Sequence, residues 1–341
     1  MSRPEVIIDP QPRTVKLIFS ERAQNKLSEL ADLTVFDDGP MPTAMLERAL
    51  PNAEIIIGQT DLPRERLARC QRLRAIFNVE GNFLPNIDYD YCFARNIRVL
   101  VASPAFAIPV AEMALALALD LARGISENDH AFRQRNEIYG FESNRDCFLF
   151  TGCRVGIIGY GDLARAFRPL LRPFRCSVKV YDPWLPEREI LNNDCLASDI
   201  DELLSTSDAV FVFATVTGEN QGFLGARELS LLRAGSLFVL MSRAGVVDFE
   251  ALVAAAKSGR VKVATDVFPE EPLPKDHPIR DLSNVTLSAH RSGGIQEAFT
   301  EIGNMVVSDV ELLLRGLPPI SCRVAQPETV KRLRSKPVAV S

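Results

Sequence analysis

The sequence predicts an α/β protein built from two doubly wound parallel-sheet domains, and three observations carry that expectation. A chain of 341 residues exceeds one ordinary core. Short β-rich runs alternate with longer helical patterns almost throughout, the order that right-handed β–helix–β crossovers produce. Most of the runs are continuously apolar, as in strands covered on both faces.

In the first part, strands are expected at Val15–Phe19, Leu33–Phe36, Ile55–Gly58, Ala75–Asn78 and Arg98–Val101. Helical stretches at Ala23–Leu30, Thr43–Leu50 and Arg64–Arg69 fall between them. In the second part, strands are expected at Arg154–Ile158, Ser177–Tyr181, Ala209–Ala214, Ser236–Met241, Val261–Thr265 and Asn284–Ser288. After Pro104 and Pro109, a helix from about Val110 to Arg123 is apolar on nearly every side, as a helix buried between domains or subunits would be. Ser126 to Phe150 reads as a polar, irregular connection, long enough to be functional or to touch another chain. A last helix, about Glu301 to Arg315, would return to the first domain. The expected division is 1–103 plus 296–341 for one domain and 104–295 for the other. A flexible, solvated tail is expected after about residue 320, with Lys331, Arg332, Arg334 and Lys336 in it.

Composition narrows the function classes. Net charge is −5, so neither nucleic acid nor an anionic membrane is an expected partner. Seven dispersed cysteines without a CxxC pair read as reduced thiols of a cytoplasmic protein, and no metal site is expected. The opening MSRPEVIIDPQPRTVKL shows no signal peptide, and Val110–Leu121 reads as too short to span a bilayer.

The run Arg154–Ile158 feeds into Gly159-Tyr160-Gly161-Asp162-Leu163-Ala164, a GxGxxA between strand and helix. Gly159 would allow the tight turn, Gly161 the approach of a pyrophosphate, and Ala164 close helix–strand packing; the helix N-terminus offers free N–H groups to phosphates. Asp182, closing the next strand, would accept the adenosine ribose hydroxyls and repel a 2′-phosphate, so NAD is the expected cofactor. Three groups follow successive strands: Arg243, Glu271 and His290. In an open parallel sheet all three point to the crevice at the carboxyl ends of the strands. Ketone reduction needs a proton donor and alcohol oxidation a base; imidazole suits both. Arg243 would grip a carboxylate and polarise the adjacent carbonyl, and Glu271 would orient the ring of His290.

These motifs make the chain resemble the D-isomer-specific 2-hydroxyacid dehydrogenases, which include D-lactate, D-glycerate and D-3-phosphoglycerate dehydrogenases and glyoxylate or hydroxypyruvate reductases. The resemblance covers roughly residues 50 to 316. Its carriers are the segments 155–164, Ser242-Arg-Ala-Gly-Val-Val-Asp248, Asp266-Val-Phe-Pro-Glu-Glu-Pro-Leu-Pro274 and Ser288-Ala-His-Arg-Ser-Gly-Gly294. It implies a Rossmann NAD-binding domain beside a flavodoxin-like substrate domain. It further implies hydride transfer between NAD and a small 2-oxo or 2-hydroxy acid, with His290 as acid–base, Glu271 rather than Glu270 as its support, and Arg243 on the substrate. Thr215, Thr217, Ser242, Asp266 and Gly293 are the implied contacts around the cofactor, and the helix near Val110 with its following segment implies a homodimer.

Some positions depart from the family pattern. Phe213 and Thr215 replace a common His and Pro, Leu240 an Asn, and Ala244 a Gly. The substrate loop Asn78-Val-Glu-Gly-Asn-Phe-Leu-Pro-Asn-Ile-Asp88 is about two residues longer than usual and sets Glu80 beside Gly81. Glu80 would either accept a substrate hydroxyl or ammonium or disfavour a second anionic group, making 3-phosphoglycerate less attractive. No added regulatory domain is expected after the core. The alternative from another class is an NAD(H)-sensing corepressor-like scaffold. Formate dehydrogenase is disfavoured because Glu271 stands where that subfamily has Gln.

Overall fold

A computed structural model describes residues 3–333, which form two compact units: unit 1 from residues 3–106 and 294–333, unit 2 from 107–293. Arg334 and Lys336 lie outside the described residues.

Unit 1 holds strands β1 (Glu5–Asp9), β2 (Asp32–Val35), β3 (Ala53–Gly58), β4 (Ala75–Asn78) and β5 (Arg98–Val101). With the late strand Arg323–Val324, the sheet order is β2-β1-β3-β4-β5 followed by that strand, which is antiparallel to β5 while all other neighbours are parallel. This is the flavodoxin-like doubly wound order. One face packs Val6, Ile8, Ile57 and Phe77 under Ile302, Val306 and Val310 of the helix Gln296–Leu314. The other packs Ile7, Ile56 and Ile76 against Leu46, Leu50 and Leu67.

The expected strand Val15–Phe19 is a helix, Val15–Ile18, and the true first strand is Glu5–Asp9. Burial decides the matter. Val6, Ile7, Ile8 and Asp9 are buried with β2 and β3 on either side, whereas the Thr14 side chain accepts the Leu17 N–H and caps a helical turn. Two further expectations are corrected. The tail after residue 320 is ordered through Val330, because the buried Asp309 carboxylate accepts N–H groups from Ile320, Ser321 and Cys322 and sets the late strand in place. The segment 126–150 is not wholly irregular: it contains the helix Ile125–Arg133 and a 3-10 turn, Gly140–Asn144. That helix buries no residue, so no apolar period marks it in the sequence.

Unit 2 holds β6 (Arg154–Ile158), β7 (Ser177–Tyr181), β8 (Leu196–Ala197), β9 (Ala209–Val212), β10 (Leu237–Leu240), β11 (Lys262–Thr265) and β12 (Val285–Leu287). The late strand of unit 1 is then β13. The unit 2 sheet is wholly parallel in the order β8-β7-β6-β9-β10-β11-β12, the dinucleotide-binding arrangement whose strand order reverses between β6 and β9. The apolar helix spans Ala107–Arg123, longer than the sequence suggested. With Ser103–Phe106 it makes a 21-residue run long and apolar enough to cross a membrane by length and composition, half of it buried. Its Ala111, Ala114, Ala118 and Ala122 are buried, and it packs on the helix Asp162–Leu170 and on β10 to β12.

Candidate active site

The glycine turn after β6 sits at the reversal point of the unit 2 sheet. Gly159 has φ +83°, and a Cβ there would lie 2.5 Å from Ala214 Cα, so only glycine lets the turn approach the loop after β9. Gly161 leads into the helix Asp162–Leu170, and a Cβ on it would meet nothing within 4 Å. Open space above a helix N-terminus is what a pyrophosphate needs. Asp162 and Leu163 form the half-buried first turn of that helix.

Tyr160 behaves differently from its neighbours. Its ring is buried, the Cys195 thiol donates toward its hydroxyl at 3.7 Å, and burial pushes the phenol up from its ordinary range, with Cys195 adding to the effect. Its backbone N–H donates to Asp182 Oδ2 at 2.7 Å, while Trp184 N–H donates to Oδ1 at 2.9 Å. Asp182 is thereby fixed at the end of β7, and each carboxylate oxygen retains acceptor capacity for a ribose hydroxyl.

The loop after β9 is held from within. Thr217 is buried, its hydroxyl oxygen accepts N–H groups of Glu219 and Asn220, and Asn220 Nδ2 donates to the Thr215 carbonyl at 2.8 Å. Ser242 donates its hydroxyl to the Ala214 carbonyl and ties this loop to the one after β10. Arg243 follows immediately, and its Nη1 donates to the Ser242 carbonyl at 2.7 Å.

Glu271 and His290 are brought into direct contact. His290 Nδ1 lies 2.7 Å from Glu271 Oε2, and the other carboxylate oxygen accepts the Phe268 N–H at 2.9 Å. Both side chains are about three-quarters buried, at 24% and 28% exposure, so neither is sealed from a ligand. His290 has φ +47°, a left-handed conformation that an imidazole residue holds only when its surroundings impose it. The imposing group is Asp266, 1% exposed. Its Oδ1 accepts from the Ser288 hydroxyl and the Arg291 N–H, and its Oδ2 from the Ser292 N–H and hydroxyl. Asp266 therefore pins the His290 turn on both sides, a job the sequence reading, which set it toward the cofactor, did not foresee. Gly293, just past this clamp, is the last residue of unit 2. Because β10, β11 and β12 are neighbours, Arg243, Glu271 and His290 all leave adjacent strand ends.

The sequence match falls on this unit. Residues 115–292 match the family described as D-isomer specific 2-hydroxyacid dehydrogenase, NAD binding domain. The chain belongs to that family. The family's NAD-binding domain accordingly makes up most of unit 2. Among solved structures, the chain is similar to a phosphoglycerate oxidoreductase from Rhizobium etli, with a TM-score of 0.87 and 44% identity over 96% of this chain and 100% of that one. A D-3-phosphoglycerate dehydrogenase of Mycobacterium leprae is 31% identical over 89% of this chain and 57% of its own length. A hydroxypyruvate reductase of Blautia hydrogenotrophica is 25% identical over 78% of this chain and 84% of its own length. The chain spans only about half the length of the D-3-phosphoglycerate dehydrogenases it matches.

Two expected site residues, Glu80 and Gly81, belong to unit 1. Gly81 lies against Phe106, and Glu80 is paired with Arg13. Arg13 was missed by sequence reasoning. With the first strand misplaced, it fell ahead of the fold instead of in the loop at the carboxyl end of β1. The run Glu5-Val-Ile-Ile-Asp9, bounded by Pro4 and Pro10, is the signal that would have found it.

Proposed function

We propose that the protein is an NAD-dependent 2-hydroxyacid dehydrogenase acting on the CH–OH group of a small 2-hydroxy acid, or on the matching 2-oxo acid. The observation that carries this reading is the Glu271–His290 pair, set on a pinned turn in the family's NAD-binding domain. The names of similar proteins, which are enzymes of phosphoglycerate and hydroxypyruvate, support it over a corepressor-like scaffold.

Gly159, Gly161, Asp182 and the first turn of the helix Asp162–Leu170 would hold NAD, which supplies a hydride acceptor or donor when bound. Glu271 accepts the Nδ1 proton of His290, so the ring's Nε2 is the atom left for substrate. In the reducing direction His290 gives its Nε2 proton to the alkoxide oxygen that forms as the carbonyl carbon gains hydride. In the oxidising direction it takes the hydroxyl proton. Glu271 stabilises the charged ring in either direction. Arg243 holds the substrate carboxylate and polarises the carbonyl. Asp266 is a positioning residue that keeps the imidazole aimed.

Stretch 108–149 leaves Phe132, Ile138, Tyr139, Phe141 and Leu149 between 59% and 80% exposed, which supports a homodimer covering them. A cytoplasmic setting is supported by seven cysteines that are all free.

The test is an oxidation assay of NADH and NADPH over glyoxylate, pyruvate, hydroxypyruvate, phenylpyruvate and branched 2-oxo acids. Turnover with NADH, lost in His290→Ala while NADH still binds, is the expected outcome. A His290→Ala protein as active as wild type would overturn the assignment.

A further inference from the structure

The turn Gly159-Tyr160-Gly161 after β6 carries a single side chain, that of Tyr160. Gly159 donates its N–H to the Tyr181 carbonyl at 2.9 Å and so continues the ladder between β6 and β7. The turn beyond is built on two glycines, which impose no conformation of their own. What holds it is the Tyr160 ring. That ring is 1% exposed, and its hydroxyl lies 3.7 Å from the Cys195 thiol, just ahead of β8. The Arg165 guanidinium covers the ring, 5.2 Å from its centre. The turn is thereby tied to the segment leading into the edge strand β8 and to the helix Asp162–Leu170. A ring so buried meets no ligand, and the Tyr160 N–H is already given to Asp182 Oδ2 at 2.7 Å. The Trp184 N–H serves Oδ1 at 2.9 Å. One donor on each oxygen fixes both the position and the rotation of the carboxylate, whereas a single donor leaves it free to turn.

We infer that Tyr160 is a positioning residue that sets cofactor choice through Asp182, with a side chain that never meets the cofactor. This rests on NAD as the cofactor and on Asp182 as the acceptor of its adenosine ribose hydroxyls. The buried ring holds the turn, the turn holds the N–H, and the N–H holds the carboxylate where it accepts a ribose diol and repels a 2′-phosphate. Without the ring, the two glycines let that N–H drift. A carboxylate left on the Trp184 donor alone then rotates, loses the diol and gives way to the phosphate. The Tyr160 hydroxyl contributes little, because a thiol is a weak partner; the anchor is the burial of the ring.

The experiment measures Kd for NADH and for NADPH by fluorescence titration of the whole protein, with thermal denaturation to confirm folding. It covers wild type, Tyr160→Phe, Tyr160→Leu, Tyr160→Ala, Asp182→Ser and the double variant Tyr160→Ala with Asp182→Ser. Tyr160→Ala should weaken NADH about tenfold but NADPH by about twofold or less, so that the preference for NADH shrinks. Tyr160→Phe keeps the buried ring and should stay within about twofold of wild type for both cofactors. Tyr160→Leu fills the core without the reach of the ring; it should weaken NADH about threefold and gives the same comparison where Tyr160→Ala fails to fold. The double variant should bind NADH no more than about twofold more weakly than Asp182→Ser alone, because both changes release the same grip. Losses that multiply in the double variant overturn the proposal, as do Ala and Leu variants that weaken NADH and NADPH equally. An Asp182→Ser protein that binds both cofactors as wild type does overturns it too. Turnover is not needed: a protein that binds NADH in the expected pattern yet reduces no 2-oxo acid fails the dehydrogenase reading alone.

Discussion

The Asp266 carboxylate fixes the backbone on both sides of His290, while the His290 ring donates its own hydrogen bond to Glu271. The two Asp266 oxygens take four hydrogen bonds from Ser288, Arg291 and Ser292, the residues bracketing the histidine. Replacing Asp266 by Asn turns one acceptor oxygen into a donor that faces two other donors. The expected result is a loss of about 1–3 kcal/mol in stability, from groups left unsatisfied at a buried site. Alongside it kcat should fall about tenfold or more, because the aim of the imidazole relaxes. Steady-state kinetics with thermal denaturation separate the two effects. A D266N protein less stable but fully active would show that the clamp serves only the fold.

The contact between Glu271 and His290 makes its own prediction. Glu271→Gln keeps a hydrogen-bond acceptor for Nδ1 but removes the charge that stabilises imidazolium. It should lower kcat by about 10²-fold with little change in the KM for NADH. His290→Gln removes the proton carrier and should cost about 10³-fold or more. NADH fluorescence titration checks that both variants still bind cofactor.

Asp182 is anchored by two backbone N–H groups, from Tyr160 and Trp184. A carboxylate so fixed cannot swing away from a 2′-phosphate. Wild type should therefore prefer NADH to NADPH by about a hundredfold in kcat/KM, and Asp182→Ser should shrink that ratio to about tenfold or less. A wild type indifferent to the 2′-phosphate would remove Asp182 from the cofactor site.

Stability should fall at both ends of the pH scale, for separate reasons. Hydrogen bonds from the Arg154 guanidinium hold the Asp208 carboxyl below its ordinary value, with further help from the Arg154 N–H and from Arg233. A carboxyl depressed in the folded state contributes stability above its unfolded value near 3.8, and that contribution is lost as pH falls through the folded value. Asp208→Asn should flatten this acid limb and leave kcat alone, since Asp208 precedes β9 at the end of the sheet away from the glycine turn. In the other direction, burial raises the thiols of Cys70 and Cys153 to about 11 and that of Cys92 to about 12, and lifts Cys322 as well. Raised acids stabilise the fold fully below the unfolded thiol value near 9 and lose that contribution as pH climbs from there through the folded values of about 11 to 12. Denaturant midpoints from pH 3 to 11 would show both limbs, and Cys92→Ala should soften the alkaline one.

How legible all this was in the sequence depended on burial. Six of the seven strands of unit 2 could be placed to within a residue or two, because runs such as β6, β9 and β10 are apolar and covered on both faces, whereas the two-residue edge strand β8 was not expected. The strand Glu5–Asp9 is equally apolar, but the nearby run Val15–Phe19, which forms a short helix, was read as the first strand in its place. The helix Ile125–Arg133 buries nothing and left no period to detect. Within the site, Glu271 and His290 were legible because strand-end positions project into a shared crevice. Arg13 was not, since its significance comes from a partner, Glu80, distant in sequence.

The way the units use the chain also bears on how the protein is made. Unit 2 is one continuous stretch, 107–293, whereas unit 1 needs the first hundred residues and the last several dozen. While a ribosome is still translating unit 2, the sheet face bearing Val6, Ile8, Ile57 and Phe77 has no Ile302, Val306 or Val310 to cover it. The first strands to emerge must therefore wait, with an apolar face open, for the helix Gln296–Leu314 to arrive. A nascent chain in that state is a natural client for a chaperone, and loss of that helix would harm the half of the protein that is synthesised first.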